Sequence, residues 1–140
     1  MTGELNLKTL LRDMKPVMQE GIFVFCTIVK DGPIPASINP VLTFRETEGT
    51  TVVIPREEAE RAGLSYQFAS CLITLSVHSA LDAVGFLAAV TARLAEAGIS
   101  VNAVSAFYHD HLFVPHHMAD EALCLLRNMS ARKSGNGEID

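Results

Sequence analysis

The sequence has no excess of basic residues, no long apolar run and no even number of cysteines. Its 16 acidic and 11 basic residues give a formal net charge of −5, which argues against nucleic acid and anionic lipid as partners, because both require a basic face. No apolar run approaches the roughly 20 residues that span a bilayer. The N-terminus mixes both charge signs and has no continuous apolar block of the secretory kind. We therefore expect a cytoplasmic protein with no nucleic-acid or membrane partner.

The sequence also lacks the residue patterns of common catalytic sites. Cys26, Cys71 and Cys124 lie far apart in apolar surroundings, which predicts buried thiols in a reducing compartment rather than a redox or zinc site. The serines near His78 form no serine–histidine–acid arrangement, and no glycine-rich phosphate loop is present. The sequence therefore predicts a protein that is not an enzyme and needs no cofactor.

What the chain does contain is ample material for a core. It has 140 residues, of which 49% are hydrophobic and 19% charged. These values are typical of a folded chain with one domain, or with two small lobes that share a core.

The spacing of apolar residues, prolines and glycines predicts an alternation of helices and strands. In the first half it predicts a helix over 7–18 that Pro16 ends or kinks, a strand over 22–29, a hairpin turning at Glu48–Gly49 with Gly49 at positive φ, and a helix over 55–63. In the second half it predicts a strand over 71–77, a helix over 83–98 capped by Ser79 or Asp82, strands over 99–108 and 111–115, a helix over 116–129, and a polar tail.

This order predicts an α+β fold with an antiparallel sheet and helices packed on one face. The second half reads β-α-β-β-α, and the closing strand that usually follows is missing, because residues 128–140 are unsuited to a strand. We expect the N-terminal half to supply the missing edge. The result would be one continuous fold in two lobes.

The segment HSALDAVGFLAAVTARLAEAGISVNAVSAFYHDHLFV resembles an ACT domain, a small ligand-sensing module of amino-acid metabolism. EGTTVVIPREEAERAG is similar to a second, weaker copy. The pattern is closest to two-lobed ACT proteins related to the regulatory domains of aspartokinases and to arginine-sensing tandem ACT proteins. The resemblance implies two ferredoxin-like (βαββαβ) lobes: a degenerate N-terminal lobe over 1–64, a C-terminal ACT domain over 65–127 and a flexible tail over 128–140. It also implies amino-acid binding and a homodimer.

A local physical argument points to a ligand site at the start of the helix predicted over 83–98. The first N–H groups of a helix are unpaired and its dipole is positive there, so the amides around Val84, Gly85 and Phe86 would attract a carboxylate. Acceptors for an ammonium group would be Asp82, Glu48 or the backbone carbonyls along Asn102–Ser105. The alternative is that Gly85 serves helix–sheet packing and Asp82 only caps its own helix.

The resemblance adds further candidate positions. In ligand-binding ACT proteins the strand-to-helix loop and the next strand line the pocket, which implies His78, Ser79, Asp82, Val84, Gly85, Asn102 and Val104 here. In tandem relatives the ligand touches both lobes, which would add Glu48, Gly49 and Thr50.

The histidine-rich stretch YHDHLFVPHH, residues 108–117, is a weaker candidate for a metal site. We place its turn at His109–Asp110. The strand that follows separates His109 and His111 from His116 and His117 by well over 10 Å, at about 3.3 Å per residue. Zinc needs ligands about 2 Å from one centre. The sequence therefore predicts no metal site within one chain, and a solvated or capping role for these histidines. The alternatives are a metal site at a dimer contact or at His109–His111, as in a metal-dependent hydrolase, and a pH switch at an interface.

Together these features predict a regulatory protein that binds a small molecule, an amino acid above all, and acts through a partner protein because no catalytic domain is attached. The alternative is a structural module that pairs with itself or with another protein and binds no ligand.

Overall fold

Seven strands form one continuous antiparallel sheet in the computed structural model, which describes residues 3–135. The strands are β1 (Pro16–Met18), β2 (Phe23–Val29), β3 (Leu42–Arg45), β4 (Gly49–Pro55), β5 (Gln67–Leu75), β6 (Asn102–Ser105) and β7 (Asp110–Pro115). The helices are α1 (Leu7–Asp13), α2 (Arg56–Ala62), α3 (Phe86–Glu96) and α4 (Ala119–Gly135), with a 3₁₀ turn at His116–Met118. The strand order is β3-β4-β2-β5-β7-β6, and β1 also pairs with β5.

Strand β5 belongs to both lobes of the fold. Its start pairs with β2, where Phe25 lies opposite Gln67, and its end pairs with β1, where Pro16 lies opposite Leu75. It is the last strand of the lobe β2-β3-β4-α2-β5 and the first strand of the lobe β5-α3-β6-β7-α4-β1. The first of these lacks the helix between its first two strands, since residues 30–41 form a proline-rich loop instead. The two ferredoxin-like lobes are thus confirmed, and the boundary predicted after residue 64 falls just before the shared strand.

The N-terminal segment completes the C-terminal lobe. Strand β1 supplies the closing strand that the second half lacks, which confirms the prediction that the N-terminal half provides the missing edge. Leu10 of α1 and Met14, the residue that follows the helix, are buried in the same core as Leu94 of α3 and Leu126 of α4. Residues 3–18 are therefore early in sequence but part of the later lobe in space.

Two predicted elements end in different places in the structure. The first helix ends at Asp13, because Pro16 lacks an N–H group and its segment pairs with β5 instead. Helix α4 continues to Gly135, so residues 128–135 are helical and the predicted tail is corrected there; residues 136–140 lie outside the described residues. The Ser130 hydroxyl donates to the carbonyls of Arg12 and Met14, which ties this part of α4 to the end of α1.

The helices cover one face of the sheet, and no described helix packs on the other, where Phe23, Val53 and Phe113 are nevertheless buried among neighbouring strand residues. Two apolar clusters join the sheet to the helices, around Leu10 and Val90 for the C-terminal lobe and around Val24 and Ala59 for the N-terminal lobe. The third cluster lies on the opposite face and contains only strand residues: Phe23, Phe25, Leu42, Val53, Phe68, Leu72, Val104 and Phe113. This helix-free face is called the open face below.

The three cysteines differ in their surroundings. Burial raises the pKa of the Cys26 and Cys71 thiols, as the apolar sequence predicts. Cys124 is exposed, which corrects the prediction of burial: on α4 it lies beside the buried positions Ala122 and Leu126, on the side turned to solvent. None of the helices within residues 3–135 combines the length and the apolar character that crossing a bilayer requires.

Candidate ligand-binding crevice

Helix α3 begins without a side-chain cap. Its N-cap is Gly85, in the left-handed conformation with φ of 91°, and no side chain bonds to the first amides. This φ favours glycine over any residue with a Cβ atom. The helix starts at Phe86, later than predicted, so the predicted caps Ser79 and Asp82 are both wrong. No described side chain caps the start of α3 by a hydrogen bond, so its first amides are available to an anion at the positive end of the dipole.

The loop that leads into α3 is held by the N-terminal segment. The Glu4 N–H donates to the His78 carbonyl at 2.7 Å, and the Ala80 N–H donates to the Glu4 carbonyl at 3.0 Å. A Cβ atom on Gly3 would lie 2.6 Å from the Ala80 nitrogen. Residue 3 can lie this close to the loop only because it is a glycine. The contact between the two segments fixes the position of the loop over residues 78–80.

The β6–β7 hairpin faces this loop. Its turn covers Ala106–His109, where the Ala106 N–H donates to the His109 carbonyl. Directly below the turn Ser105 lies opposite Asp110, and the Ser105 hydroxyl donates to the Asp110 carboxylate at 2.5 Å. Val104, the neighbour of Ser105, packs on the open face, and side chains alternate along a strand. Ser105 and Asp110 therefore point to the helix side.

A small crevice lies between the α3 N-terminus and this hairpin. Its volume is about 50 Å³, and its lining residues are Ser79, Ala80, Leu81, Ala83, Phe86, Leu87, Ser105, Ala106 and Asp110. Phe86 and Leu87 are the first two residues of α3, so the start of the helix forms one wall. Asp110 forms part of the other wall, and only 6% of its surface is exposed.

Asp110 is the most unusual group in the crevice. A buried carboxylate normally has a cationic partner, since burial of an unpaired charge is costly. Among the described residues the single ion pair joins Arg12 to Asp13 at 2.9 Å, so Asp110 has no cation within 4.0 Å there. The crevice thus offers a carboxylate that accepts hydrogen bonds on one side and a helix N-terminus on the other.

The structure brings several of the predicted site residues together. Ser79, Phe86 and Ser105 line the crevice. His78, Asp82, Val84 and Gly85 belong to the same loop, and Val84 is 85% exposed. Asp82 is also exposed, so it is not the buried acceptor that the sequence favoured.

The remaining predicted residues lie elsewhere. Asn102 pairs with Phe113 and Val104 packs beside it, so both lie on the open face, away from the crevice. Glu48, Gly49 and Thr50 lie at the β3–β4 turn, where Gly49 pairs with Val29 at the end of β2. Because β2 runs antiparallel to β5, this turn and the loop after Leu75 are at opposite ends of the sheet, about 30 Å or more apart along the strands. A site that touches both lobes there is not formed within one chain.

Gly49 has a different role from the one predicted. It does not have a positive φ. A Cβ atom at this position would lie 2.7 Å from the Ile28 carbonyl oxygen, so the close approach of β4 to β2 explains the glycine.

Sequence reasoning missed Asp110, because it placed the hairpin turn at His109–Asp110 and treated this aspartate as a turn residue. The alternation of side chains along β7 would have identified Asp110 as a buried residue. Leu112 and Val114 are the apolar positions that face the helices, and Asp110 shares their parity. A carboxylate in register with two core positions predicts a buried polar site.

The histidines serve local roles on the sheet. The His109 ring nitrogen Nδ1 lies 3.2 Å from the Val77 carbonyl. His111 Nδ1 lies 3.0 Å from the Thr74 hydroxyl, which also accepts from the Gln19 amide. Burial, with a smaller contribution from His109, lowers the pKa of His111. His116 and His117 lie beyond the other end of β7, and no group of three or more potential metal ligands occurs among the described residues.

Comparisons with known proteins give the family. ACT domain models match residues 2–71 and residues 67–128, and the two matches overlap within the shared strand β5. No curated protein sequence matches the chain.

Solved structures show the same fold. A Vibrio cholerae protein of unknown function, titled a possible transport protein, is 44% identical, with a TM-score of 0.80 and coverage of 89% of this chain and 95% of that chain. A protein from Agrobacterium tumefaciens is 21% identical, with a TM-score of 0.73 and coverage of 84% and 89%. The ligand-free regulatory subunit of aspartate kinase from Thermus thermophilus is 10% identical, with a TM-score of 0.64 and coverage of 85% and 97%. The chain belongs to the ACT domain family, as a tandem of two ACT domains joined through one strand.

Proposed function

We propose that this protein is a regulator that binds a free amino acid in the crevice between α3 and the β6–β7 hairpin. ACT domains and the fold shared with aspartate kinase regulatory subunits support a regulatory, ligand-binding role. One observation supports an amino acid as the ligand. In a crevice of about 50 Å³, the buried Asp110 carboxylate faces the uncapped start of α3, so one wall is negative and the other positive. An α-amino acid has both of the complementary groups, an ammonium and a carboxylate.

The roles of the residues follow from this geometry. Asp110 accepts from the α-ammonium, and Ser105 holds the carboxylate of Asp110 in position. The α-carboxylate lies against the first amides of α3, where an anion gains about 0.3–2 kcal/mol depending on burial. Gly85 gives the chain the left-handed turn before these amides, which receive no side-chain cap hydrogen bond. With the amino acid bound, this protein would then act on a partner protein.

A thermal-shift screen of the twenty amino acids tests this proposal. At 100 times its dissociation constant, a ligand adds about 2.7 kcal/mol to the free energy of unfolding, which raises Tm by about 8 °C for a chain of this size. The matched controls are the same compound without its carboxylate, as the amine, and without its ammonium, as the acid. We expect neither control to shift Tm, because each lacks one of the two groups. A flat response to all twenty amino acids contradicts the proposal.

The open face supports a second candidate function, self-association. Within the strands the register places no Asp, Glu, Lys or Arg on it, and the Glu46 carboxylate, which accepts from the Thr51 hydroxyl, lies at its edge. A second copy of the same largely uncharged face is therefore its matching partner. Phe44 is 64% exposed and Val29 is 77% exposed at its edge. Six strands at about 4.8 Å spacing, with an average length of about 20 Å, would bury about 1,200 Å² in total, the lower bound for a specific interface.

Sedimentation velocity tests this second candidate. We expect a concentration-dependent dimer whose dissociation constant rises at least about tenfold in the Phe44→Glu, Val29→Glu double variant, because the paired face would bury unpaired charges. Both side chains are largely exposed in one chain, so the variant should fold. The matched control is Leu81→Glu, which is exposed to a similar extent (65%) beside the crevice. A protein that stays monomeric, or a dimer that the double variant leaves unchanged, rules out pairing through this face.

A further inference from the structure

The mouth of the crevice is surrounded by exposed apolar side chains. Leu81 and Val84, in the loop before α3, are 65% and 85% exposed. Phe107 and Tyr108, in the turn of the β6–β7 hairpin, are 58% and 59% exposed. Large apolar side chains this exposed and this close together mark binding surfaces in soluble proteins. These four residues are called the apolar rim below.

Chain position and ring contacts place the rim residues beside the crevice, and Val84 lies between the lining residues Ala83 and Phe86 in sequence. Leu81 and Ala106 both line it, and Phe107 follows Ala106 in the chain. The Phe107 and Tyr108 rings pack edge to face with centroids 4.9 Å apart, and the Tyr108 ring lies 5.5 Å from the ring of His78. The two halves of the rim are therefore on either side of the same opening.

The volume of the crevice decides which part of a ligand it holds. A cavity needs about 10–15 Å³ in this measure for one water molecule, so about 50 Å³ accommodates three to five heavy atoms. That is the size of the part that all amino acids share: the α-carbon with its ammonium and carboxylate. A side chain of more than one or two atoms must then project through the mouth and lie on the rim.

The charges around the mouth argue against a charged side chain. Asp110 is the buried carboxylate of the crevice, and on the proposed function it is occupied by the α-ammonium. Asp82 is exposed in the loop, where solvent screens its charge and leaves it little selectivity. The four rim side chains carry no formal charge, and the His78 ring lies beside that of Tyr108.

We propose that the ligand is an amino acid with a large apolar side chain, and that Leu81, Val84, Phe107 and Tyr108 select it. This rests on the proposed function, since it concerns the same crevice. On binding, the side chain covers the exposed rim and both surfaces leave water. The gain grows with the apolar area of the side chain, so leucine and phenylalanine bind more tightly than alanine or lysine.

Isothermal titration calorimetry of the full-length protein with leucine, phenylalanine, alanine and lysine tests this inference. We expect leucine and phenylalanine to bind about tenfold more tightly than alanine and lysine. In the Val84→Ser, Phe107→Ser double variant this preference should disappear, while the affinity for alanine stays within about twofold. Both side chains are exposed in the free protein, so the variant should retain its fold.

The control is Val41→Ser, a residue 51% exposed before β3 and remote from the crevice, which should leave all four affinities unchanged. If alanine or lysine binds as tightly as leucine, or if the preference survives the double variant, this inference is overturned while the proposed function stands. If none of the four binds while another amino acid shifts Tm in the thermal-shift screen, this inference alone is overturned; if none of the twenty amino acids binds, both proposals are overturned.

Discussion

Asp110→Asn is expected to weaken amino-acid binding by about 10- to 100-fold. The variant removes the negative charge that accepts from the α-ammonium, and a hydrogen bond to a charged group contributes about 1.5–3 kcal/mol. Asparagine has nearly the same shape, and its amide oxygen can still accept from the Ser105 hydroxyl. Calorimetric titration with the ligand found in the screen measures the loss.

The stability of the free Asp110→Asn protein separates a ligand role from a structural one. Because Asp110 is buried without a cation among the described residues, loss of its charge should leave the Tm of the free protein equal or higher. The matched control is Asp82→Asn in the exposed loop, for which we expect less than a twofold change in affinity. A lower Tm together with unchanged affinity would identify Asp110 as a structural carboxylate and contradict its proposed role.

Leu10→Ala is expected to reduce the free energy of unfolding by about 2–5 kcal/mol. Leu10 lies in a short helix of only seven residues, yet its side chain is fully buried in the core of the C-terminal lobe. Truncation removes its apolar contacts and leaves a cavity among residues of α3 and α4, and costs of this size are usual for buried leucines. Urea unfolding followed by circular dichroism measures the change.

The control for this prediction is Leu5→Ala. Leu5 precedes α1 and is 57% exposed, so its truncation should cost less than about 0.5 kcal/mol. If Leu10→Ala costs as little as Leu5→Ala, helix α1 is not an integral part of the C-terminal lobe. The assignment of residues 3–18 to the C-terminal lobe would then be contradicted.

The repeated parts of the fold were predictable from sequence because their signals are local. Residues 55–63 illustrate this: Pro55 precedes the first residue of α2, Glu57 and Glu58 are in its first turn, and Gly63 ends it in the left-handed conformation. The element order of the second half predicted an incomplete lobe, and the need for a closing strand pointed to the N-terminal half.

Long-range features were harder to predict. Nothing local in PVM indicates a strand, and Pro16–Met18 forms one only because the end of β5 has a free edge. The polar segment after Asn128 is helical partly because Ser130 bonds to the end of α1, a contact across 116–118 positions of sequence. Tertiary partners decide such elements, and a sequence window does not contain them.

The candidate site was predicted only in part, because one of its two walls depends on long-range contacts. The loop over residues 78–86 was found because a strand end, a glycine and a helix start are adjacent in sequence. The opposite wall depends on where the β6–β7 hairpin turns, and a shift of the turn by two residues decided whether Asp110 was seen as a turn residue or as a buried acceptor. Glu48, Gly49 and Thr50 were included by resemblance to tandem relatives, and the order of the strands places them at the other end of the sheet.

The central claim is that the ligand lies between the start of α3 and the β6–β7 hairpin, and an NMR titration tests it most directly. In ¹⁵N–¹H spectra of the protein titrated with the amino acid found in the screen, we predict that the largest shifts belong to the amides of residues 79–88 and 105–110. The amides around Glu48 should remain unchanged, as an internal reference at the far end of the sheet. Shifts confined to the β3–β4 turn or to the open face, with the α3 amides unmoved, would contradict the account.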